Sequence, residues 1–327
     1  MNTSVSSKSR AEYAVGDTPL IQLEFKEERI SLFAKCEYQN PSGSIKDRFV
    51  HAVITEGEQR RQLDPNSILL EYSSGSTGVA LAMAGAARGY KVRIVVSEAC
   101  NGSQRLKIEE LGAEIVTFAG SARWKGIKLT REMASRDPNI FLTRQFENEL
   151  NAASHERGTG SEILRQLGGP IDALVAGYGT GGTLAGVSRA LRRLHPGMQV
   201  YLMEFSEQAT SLSEGFRIQQ ASNSGGSYVP PLLVGTRHGG VIRVPYAEAV
   251  DMAQHLYWEF GLAVGIFSGA NVVASLQVAK RLGPKARVVT FLCDNSEKFL
   301  NIPSPNRTDL LPSIPLEAFG LKMQGTC

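Results

Sequence analysis

Apolar runs suited to β-strands alternate with helical patterns along this chain, and no other feature limits its fold so strongly. Strands are predicted at Ile68–Tyr72, Lys91–Ser97 and Glu114–Phe118, with helices at residues 78–87 and 103–111 between them. Nearly continuous apolar strands joined by helices are typical of a parallel sheet that is covered on both faces. The first half of the chain therefore predicts an α/β unit.

A second set of the same kind follows residues 145–160. Its strands are predicted at residues 172–177, 199–205 and 286–293, and its helices at residues 161–167, 183–194, 247–260 and 270–282. Two such sets predict two α/β domains, and in this architecture ligands bind at the carboxyl ends of strands, often between domains. Residues 213–240 interrupt the pattern with polar residues, prolines and glycines, so they predict a loop, either a lid or a simple connection.

The composition narrows the function classes. The 327 residues carry 35 basic and 32 acidic side chains, and this net charge of +3 gives no indication of a nucleic acid or an anionic membrane as a partner. No apolar stretch reaches the ~18 residues of a membrane helix, and the polar N-terminus lacks a secretion signal, so the cytoplasm is the expected compartment. Four widely spaced cysteines predict reduced thiols, and five histidines without ligand spacing predict no metal site.

The loop Gly177-Tyr-Gly-Thr-Gly-Gly-Thr183 lies between a predicted strand and a predicted helix. Its glycines let backbone N–H groups approach a phosphate, which the N-terminus of the next helix also attracts. A tight turn alone would need only one or two glycines. The same string matches the dinucleotide fingerprint G-x-G-x-x-G, with Glu204 as the acidic residue at a strand end. Taken alone, the loop predicts a phosphate site and leaves the two kinds of ligand open.

Two further loops carry polar chemistry. The segment Glu71-Tyr-Ser-Ser-Gly-Ser-Thr-Gly78 places four Ser or Thr hydroxyls at the start of a predicted helix, where an anion such as a carboxylate can bind. A simple helix N-cap would use only one of them. The segment 40–48 (NPSGSIKDR) places Lys46 after a turn and at a helix start, where a lowered amine pKa suits a Schiff-base lysine. Taken alone, a solvated surface lysine explains Lys46 better.

Together, the three motifs resemble the signature of the fold-type II pyridoxal-phosphate enzymes, specifically the cysteine synthase group, which includes O-acetylserine sulfhydrylase and cystathionine β-synthase. The matching segments follow the family's order and cover most of the chain: residues 15–20, 40–48, 73–78, 104–116, 145–148, 177–183, 265–270 and 291–300. So many ordered matches favour this family over dinucleotide binding.

The resemblance implies a tryptophan synthase β-like α/β fold with two twisted, mostly parallel sheets covered by helices. Residues 1–40 and 147–327 would form the large cofactor-binding domain, and residues 41–146 a smaller mobile domain. A homodimer is implied as well.

The resemblance also implies roles for individual residues. Lys46 would hold pyridoxal 5'-phosphate as an internal aldimine and shuttle the Cα proton of the substrate. The cofactor phosphate would be held by Gly179, Thr180, Gly181, Gly182 and Thr183. The substrate carboxylate would be held by Ser73, Ser74, Gly75 and Thr77, together with Gln145, as the smaller domain closes. Glu204 would then be a structural residue at a strand end.

The chain departs from the family pattern at two cofactor-facing positions. Ser76 stands where the family has an asparagine that faces the phenolic oxygen of the cofactor, and serine donates a hydrogen bond from a shorter side chain. Asp294, beside Cys293, aligns with the serine that commonly meets the pyridine nitrogen, and a carboxylate there would keep this nitrogen protonated. Some relatives of the second sulfhydrylase type also have Cys-Asp here. The alternative for Asp294 is a cap on the turn that follows the strand.

A third departure concerns the substrate cleft. Residues 230–240 replace a glycine-rich stretch that lines this cleft in the acetylserine enzymes. Within them, Arg237 and His238 could meet a charged leaving group or nucleophile, or could simply face solvent.

The implied function is β-replacement on an activated L-serine, either O-acetylserine or O-phosphoserine, through an aminoacrylate intermediate to which a nucleophile such as sulfide adds. Three alternatives stay open. The nucleophile could be an amine, which gives a diaminopropionate-type product of specialised metabolism. The reaction could be serine or threonine dehydration. The chain could also be a non-catalytic regulatory relative. The expected small-molecule partner of the enzyme is an amino acid.

Overall fold

The computed structural model describes residues 14–73, 75–100, 102–206 and 230–296. These residues form two sheets with helices on both faces of each. The strands, in chain order, are β1 (Leu20–Phe25), β2 (Ile30–Lys35), β3 (Ile68–Tyr72), β4 (Lys91–Ser97), β5 (Glu114–Phe118), β6 (Ile140–Leu142), β7 (Ala173–Gly177), β8 (Gln199–Phe205), β9 (Gly240–Val244) and β10 (Val288–Phe291).

The helices, in chain order, are α1 (Lys46–Gln59), α2 (Ser76–Arg88), α3 (Ser103–Glu110), α4 (Arg123–Arg136), α5 (Leu150–Ser154), α6 (Ser161–Leu167), α7 (Gly182–Arg192), α8 (Tyr246–Phe260) and α9 (Ile266–Leu282). A π-helical turn, His155–Gly160, joins α5 to α6. In the described ranges no helix is long and apolar enough to cross a membrane.

The larger sheet has six strands in the order β1-β2-β10-β7-β8-β9. Strand β1 pairs antiparallel with β2, and all other pairs are parallel. The central strands are almost wholly apolar and buried because both faces are covered. Helices α8 and α9 pack on one face, and α6 and α7 on the other.

The smaller sheet has four parallel strands in the order β5-β4-β3-β6. Helices α1, α2 and α3 pack on one of its faces and α4 on the other. Since all these strands run in parallel, the loops that follow β3 and β6 leave the sheet at the same edge.

The predicted α/β class with mostly parallel sheets is confirmed. The predicted bounds of β3, β4, β5, β8 and α6 agree with the structure residue for residue. The strand-and-helix pattern did not predict β1, β2, β6, β9 or α4. Strand β6 has only three residues and β1 is half-exposed, so neither shows a strong apolar run. The division of the chain at residues 41 and 147, and the mobility of the smaller part, stay predictions.

Candidate active site

Lys46 is the first residue of α1, and a short ladder with the segment after β10 positions it. The Ile45 N–H donates to the Cys293 carbonyl (2.9 Å), and the Asn295 N–H donates to the Gly43 carbonyl (3.0 Å). Ahead of the helix, the Ser42 N–H and hydroxyl both donate to Asp47 (2.9 and 2.7 Å) and order the turn. The lysine therefore starts at the positive end of a helix dipole and beside Asp294.

Arg48, in the first turn of the same helix, is held by two buried carboxylates. Its guanidinium is buried and donates to Glu37 (2.6 Å) and Glu162 (2.8 Å). A second buried cation, Lys35, lies 2.7 Å from the Glu162 carboxylate. Burial opposes ionisation of Glu162, but the hydrogen bonds from Arg48 and Lys35 outweigh it and lower its pKa to about 2. Arg48 is therefore a structural residue of the lysine motif.

The glycine-rich loop leaves β7 and enters α7 at Gly182. Gly181 has φ +85°, and a Cβ there would lie 2.6 Å from Leu233 Cγ, so only glycine fits. By contrast, a Cβ added at Gly179 would meet no atom of the described residues within 4 Å, and the same holds at Gly75 in the loop after β3. Both loops thus border open space.

The residues of this loop fit the phosphate of pyridoxal phosphate. The loop offers backbone N–H groups, two threonine hydroxyls and the N-terminus of α7, and its sequence contains no acidic side chain. Lys46, the amine that such a cofactor needs, is near enough to His155, a partner of this loop, for its charge to act on the imidazole.

His155 is bonded to the glycine-rich loop, and its pKa responds to the charge of Lys46. It is buried in the π-helical turn, with Nδ1 2.9 Å from the Thr159 hydroxyl and Nε2 3.2 Å from the Thr183 hydroxyl. Burial lowers the pKa of His155 well below its usual range, and the positive charges of Arg48 and Lys46 act in the same direction. A neutral imidazole has one donor and one acceptor nitrogen, so it orients both hydroxyls. The Thr183 hydroxyl is therefore bonded to the imidazole on which the charge of Lys46 acts.

The loop after β3 contacts Gln145, as the proposed shared role in carboxylate binding requires. The Thr77 hydroxyl donates to Gln145 Oε1 (2.7 Å), and Gln145 Nε2 donates to the Tyr72 carbonyl (2.7 Å). The Ser73 hydroxyl accepts from the N–H of Gly78 (3.0 Å) in the first turn of the next helix, whose N-cap residue is Gly75. Ser76 begins α2, and Ser74 lies outside the described residues.

Asn151 is a site residue that the sequence analysis missed. Its buried Nδ2 donates to the Gln145 carbonyl (2.8 Å) and to the Thr180 hydroxyl (3.0 Å). One side chain thus joins the carboxylate side of the site to the phosphate loop. No sequence signal marks it, because an asparagine on a short helix looks like any polar surface residue.

Asp294 is 4% exposed and held by α9. The Ser268 hydroxyl donates to its Oδ1 (2.7 Å), and a Cβ at Gly265 would lie 2.7 Å from its carboxyl group. The next two backbone N–H groups donate to the carbonyls of Gly43 (3.0 Å) and Ala263 (3.2 Å), so the carboxylate does not receive these turn donors. Both interpretations of Asp294, as a partner of the cofactor ring and as a cap on the turn, stay predictions.

Three other predicted residues lie away from the site or play a structural part. Glu204, at the end of β8, accepts a hydrogen bond from the Tyr178 hydroxyl. Arg237 and His238 are exposed, and the Arg237 carbonyl accepts from Arg192 (2.7 Å) at the far end of α7. These two residues precede β9 and lie at the amino ends of the parallel strands, opposite the edge where the loops meet. The idea that they meet the leaving group or nucleophile is therefore wrong.

Comparisons with known proteins agree with this geometry. A family model described as "Pyridoxal-phosphate dependent enzyme" matches residues 11–294. A probable cysteine synthase of Bacillus subtilis (strain 168) is 35% identical over 293 residues, which cover 88% of this chain and 94% of that protein.

Among solved structures, O-ureido-L-serine synthase matches with a TM-score of 0.79 at 31% identity, covering 88% of this chain and 92% of that one. An O-acetylserine-dependent cystathionine β-synthase from Helicobacter pylori matches with a TM-score of 0.79 at 28% identity, covering 93% of this chain and 99% of that one. The chain therefore belongs to the fold-type II pyridoxal-phosphate-dependent enzymes, within the cysteine synthase and cystathionine β-synthase family.

Proposed function

We propose that this enzyme catalyses β-replacement on an activated L-serine, with O-acetylserine or O-phosphoserine as the amino-acid substrate and sulfide as the first candidate nucleophile. The observation that carries the proposal is the position of Lys46, which follows a segment paired with residues 293–295 and whose charge acts on His155, the partner of Thr183. The Thr77–Gln145 pair is joined to the same phosphate loop through Asn151.

Each part of the site has a task in this reaction. The backbone N–H groups and hydroxyls of residues 179–183 bind the cofactor phosphate, and neutral His155 orients the Thr183 hydroxyl toward it. Ser73, Gly75, Thr77 and Gln145 bind and orient the substrate carboxylate. Lys46 supplies the amine that binds the cofactor aldehyde and, once the substrate amine has replaced it, removes the proton from Cα. When bound, pyridoxal phosphate supplies the electron sink for the charge that develops at Cα.

In the proposed site, the Asp294 carboxylate would face the ring nitrogen of the cofactor and favour its protonated form, and the Ser76 hydroxyl would face the phenolic oxygen. Replacement of Asp294 by Asn removes the charge and keeps the shape. We expect the visible absorption of the bound cofactor to shift and turnover to fall. An unchanged spectrum and rate in Asp294→Asn would place the ring nitrogen elsewhere.

The role of Lys46 has a direct test. Lys46→Ala should lose the visible absorption band of the bound cofactor and all turnover, because the amine that holds the aldehyde is gone. The matched control is Lys285→Ala, which removes an exposed lysine before β10 and should retain both. Full turnover in Lys46→Ala would refute the scheme.

The nucleophile needs a product assay. One structural relative is a synthase of O-ureido-L-serine and another is an O-acetylserine-dependent cystathionine β-synthase, so relatives of this fold form different products. We therefore expect mass spectrometry, after O-acetylserine or O-phosphoserine is mixed with sulfide and amines, to separate cysteine from a diaminopropionate-type product. Pyruvate alone would favour a lyase, which eliminates the activated group without adding a nucleophile. Light scattering of the purified enzyme tests the proposed homodimer.

A further inference from the structure

Glu71 is a buried carboxylate beside the candidate site that has no part in the chemistry described above. It is the penultimate residue of β3 and is 2% exposed. Its Oε1 accepts from the Tyr72 N–H (2.8 Å), and its Oε2 accepts from the Thr143 hydroxyl (2.5 Å) and the Gln145 N–H (2.8 Å). One side chain thus receives three hydrogen bonds from two different segments.

None of these partners is a cation. In the part of the chain that the structure describes, no Lys, Arg or His forms an ion pair with Glu71, and its electrostatic surroundings consist of hydrogen-bond donors. Burial raises the pKa of Glu71 to about 7, although the three donors oppose this shift. A carboxylate kept in such a place without a counter-ion is costly, so a sheet that needed only packing would hold an apolar residue there.

The Glu71 carboxylate links the end of β3 to the residues that follow β6. Strand β6 pairs with β3 as far as Leu142 opposite Leu70, and the Thr143 N–H still donates to the Leu70 carbonyl (3.1 Å). Beyond that point the regular ladder ends. The Glu71 carboxylate continues the link between the two segments through Thr143 and the backbone of Gln145.

Hydrogen bonds thereby hold both the backbone and the side chain of Gln145. Glu71 holds its backbone N–H, while its side-chain amide spans from the Tyr72 carbonyl to the Thr77 hydroxyl. A glutamine in place of Glu71 could not serve all three donors, because its amide nitrogen accepts no hydrogen bond.

We propose that Glu71 is a positioning residue that sets Gln145 against the loop after β3, so that the affinity for the substrate carboxylate depends on a side chain that does not touch the substrate. The proposal rests on the role assigned to Gln145 under the proposed function.

The test compares Glu71→Gln with the wild-type holoenzyme. We expect the KM for O-acetylserine to rise about ten-fold, as the loss of a hydrogen bond to a charged group implies, while kcat changes less than about three-fold. The affinity for L-alanine, which carries the carboxylate but no leaving group, is read from the change in cofactor absorbance and should fall by the same factor.

Two controls separate positioning from simple destabilisation. Leu69→Ala opens a cavity in the same strand, away from Gln145, and should lower the melting temperature without changing KM. Gln145→Ala should raise KM, and Glu71→Gln added to it should raise KM little further, because Glu71 acts through Gln145. Should Glu71→Gln fail to fold, Thr143→Val removes one donor to the same oxygen and should raise KM by a smaller factor.

The outcomes for the two proposals differ. A KM and an L-alanine affinity unchanged in Glu71→Gln, or changed equally in Leu69→Ala, would overturn the role of Glu71. A wild-type enzyme that binds L-alanine but transforms no activated serine would overturn the proposed function, and the L-alanine affinities would still decide about Glu71.

Discussion

The contact between Gly182 and Asn151 allows a quantitative prediction for the phosphate loop. A Cβ at Gly182 would lie 2.1 Å from Asn151 Oδ1, so Gly182→Ala must displace this side chain. Asn151 then loses its hydrogen bonds to the Gln145 carbonyl and the Thr180 hydroxyl. Each lost hydrogen bond costs ~1 kcal/mol, and a buried acceptor that is left unpaired costs a further ~1–3 kcal/mol. Together these losses exceed the ~0.5–1 kcal/mol that alanine gains over glycine.

We therefore expect Gly182→Ala to lower the free energy of unfolding of the cofactor-free protein by about 2–3 kcal/mol. Urea denaturation followed by fluorescence measures this change. The matched control is Gly179→Ala in the same loop, where the added Cβ meets no protein atom. Its cofactor-free stability should stay within ~0.5 kcal/mol of the wild type.

The Gly179→Ala variant should instead differ from the wild type in its affinity for pyridoxal phosphate. The open space beside Gly179 is where we expect the phosphate, so Gly179→Ala should weaken pyridoxal phosphate binding although the protein is as stable as before. Absorbance titration gives both affinities. Equal stability of Gly182→Ala and wild type would refute the contact at Asn151, and wild-type cofactor affinity in Gly179→Ala would refute the phosphate site.

Three further predictions concern pH, each read from urea denaturation of the wild type and one variant over a pH series. Glu162 has its pKa lowered to about 2 by Arg48 and Lys35 against the effect of burial, so the wild type should lose about 3 kcal/mol between pH 4.5 and pH 2 that Glu162→Gln does not lose. His155 is kept neutral by burial, so its contribution is complete above pH 6.5 and is lost as the pH falls, a slope absent in His155→Gln. Glu71 has a pKa raised to about 7 by burial, so its contribution is complete below pH 4.5 and falls by about 3 kcal/mol up to pH 7, a slope that Glu71→Gln removes. Parallel curves for a variant and the wild type would contradict the corresponding assignment.

The sequence predicted the parts of the fold and site that depend on neighbouring residues. The strands before the Glu71–Gly78 and Gly177–Thr183 loops are mostly apolar runs, and these loops carry glycines and hydroxyls at helix starts, so both could be recognised locally. The resemblance to the family added the order of these parts, and its predictions of family, fold class and cofactor are confirmed.

The partners of the site residues could not be predicted because they come from distant positions. Asn151 bonds to Thr180 and Glu71 to Gln145, across 29 and 74 residues, and such pairs leave no periodic signal. The choice between the two alternatives for Arg237 could not be made from the sequence for a related reason. A charged loop in sequence does not reveal at which edge of a parallel sheet its strand begins, and β9 begins at the edge away from the site.

The central position of β10 has a consequence for the synthesis of the protein. This strand lies between β2 and β7, and the residues after it pair with those before Lys46, although the two segments are about 250 residues apart. At about 5–20 residues per second, a ribosome needs about 10–50 s between them. During that time the nascent chain carries the lysine and then the glycine-rich loop, but the gap in its sheet is still open. Among the described residues, the candidate pocket is therefore completed only when β10 and the residues after it have been synthesised, so we expect pyridoxal phosphate to bind after this point.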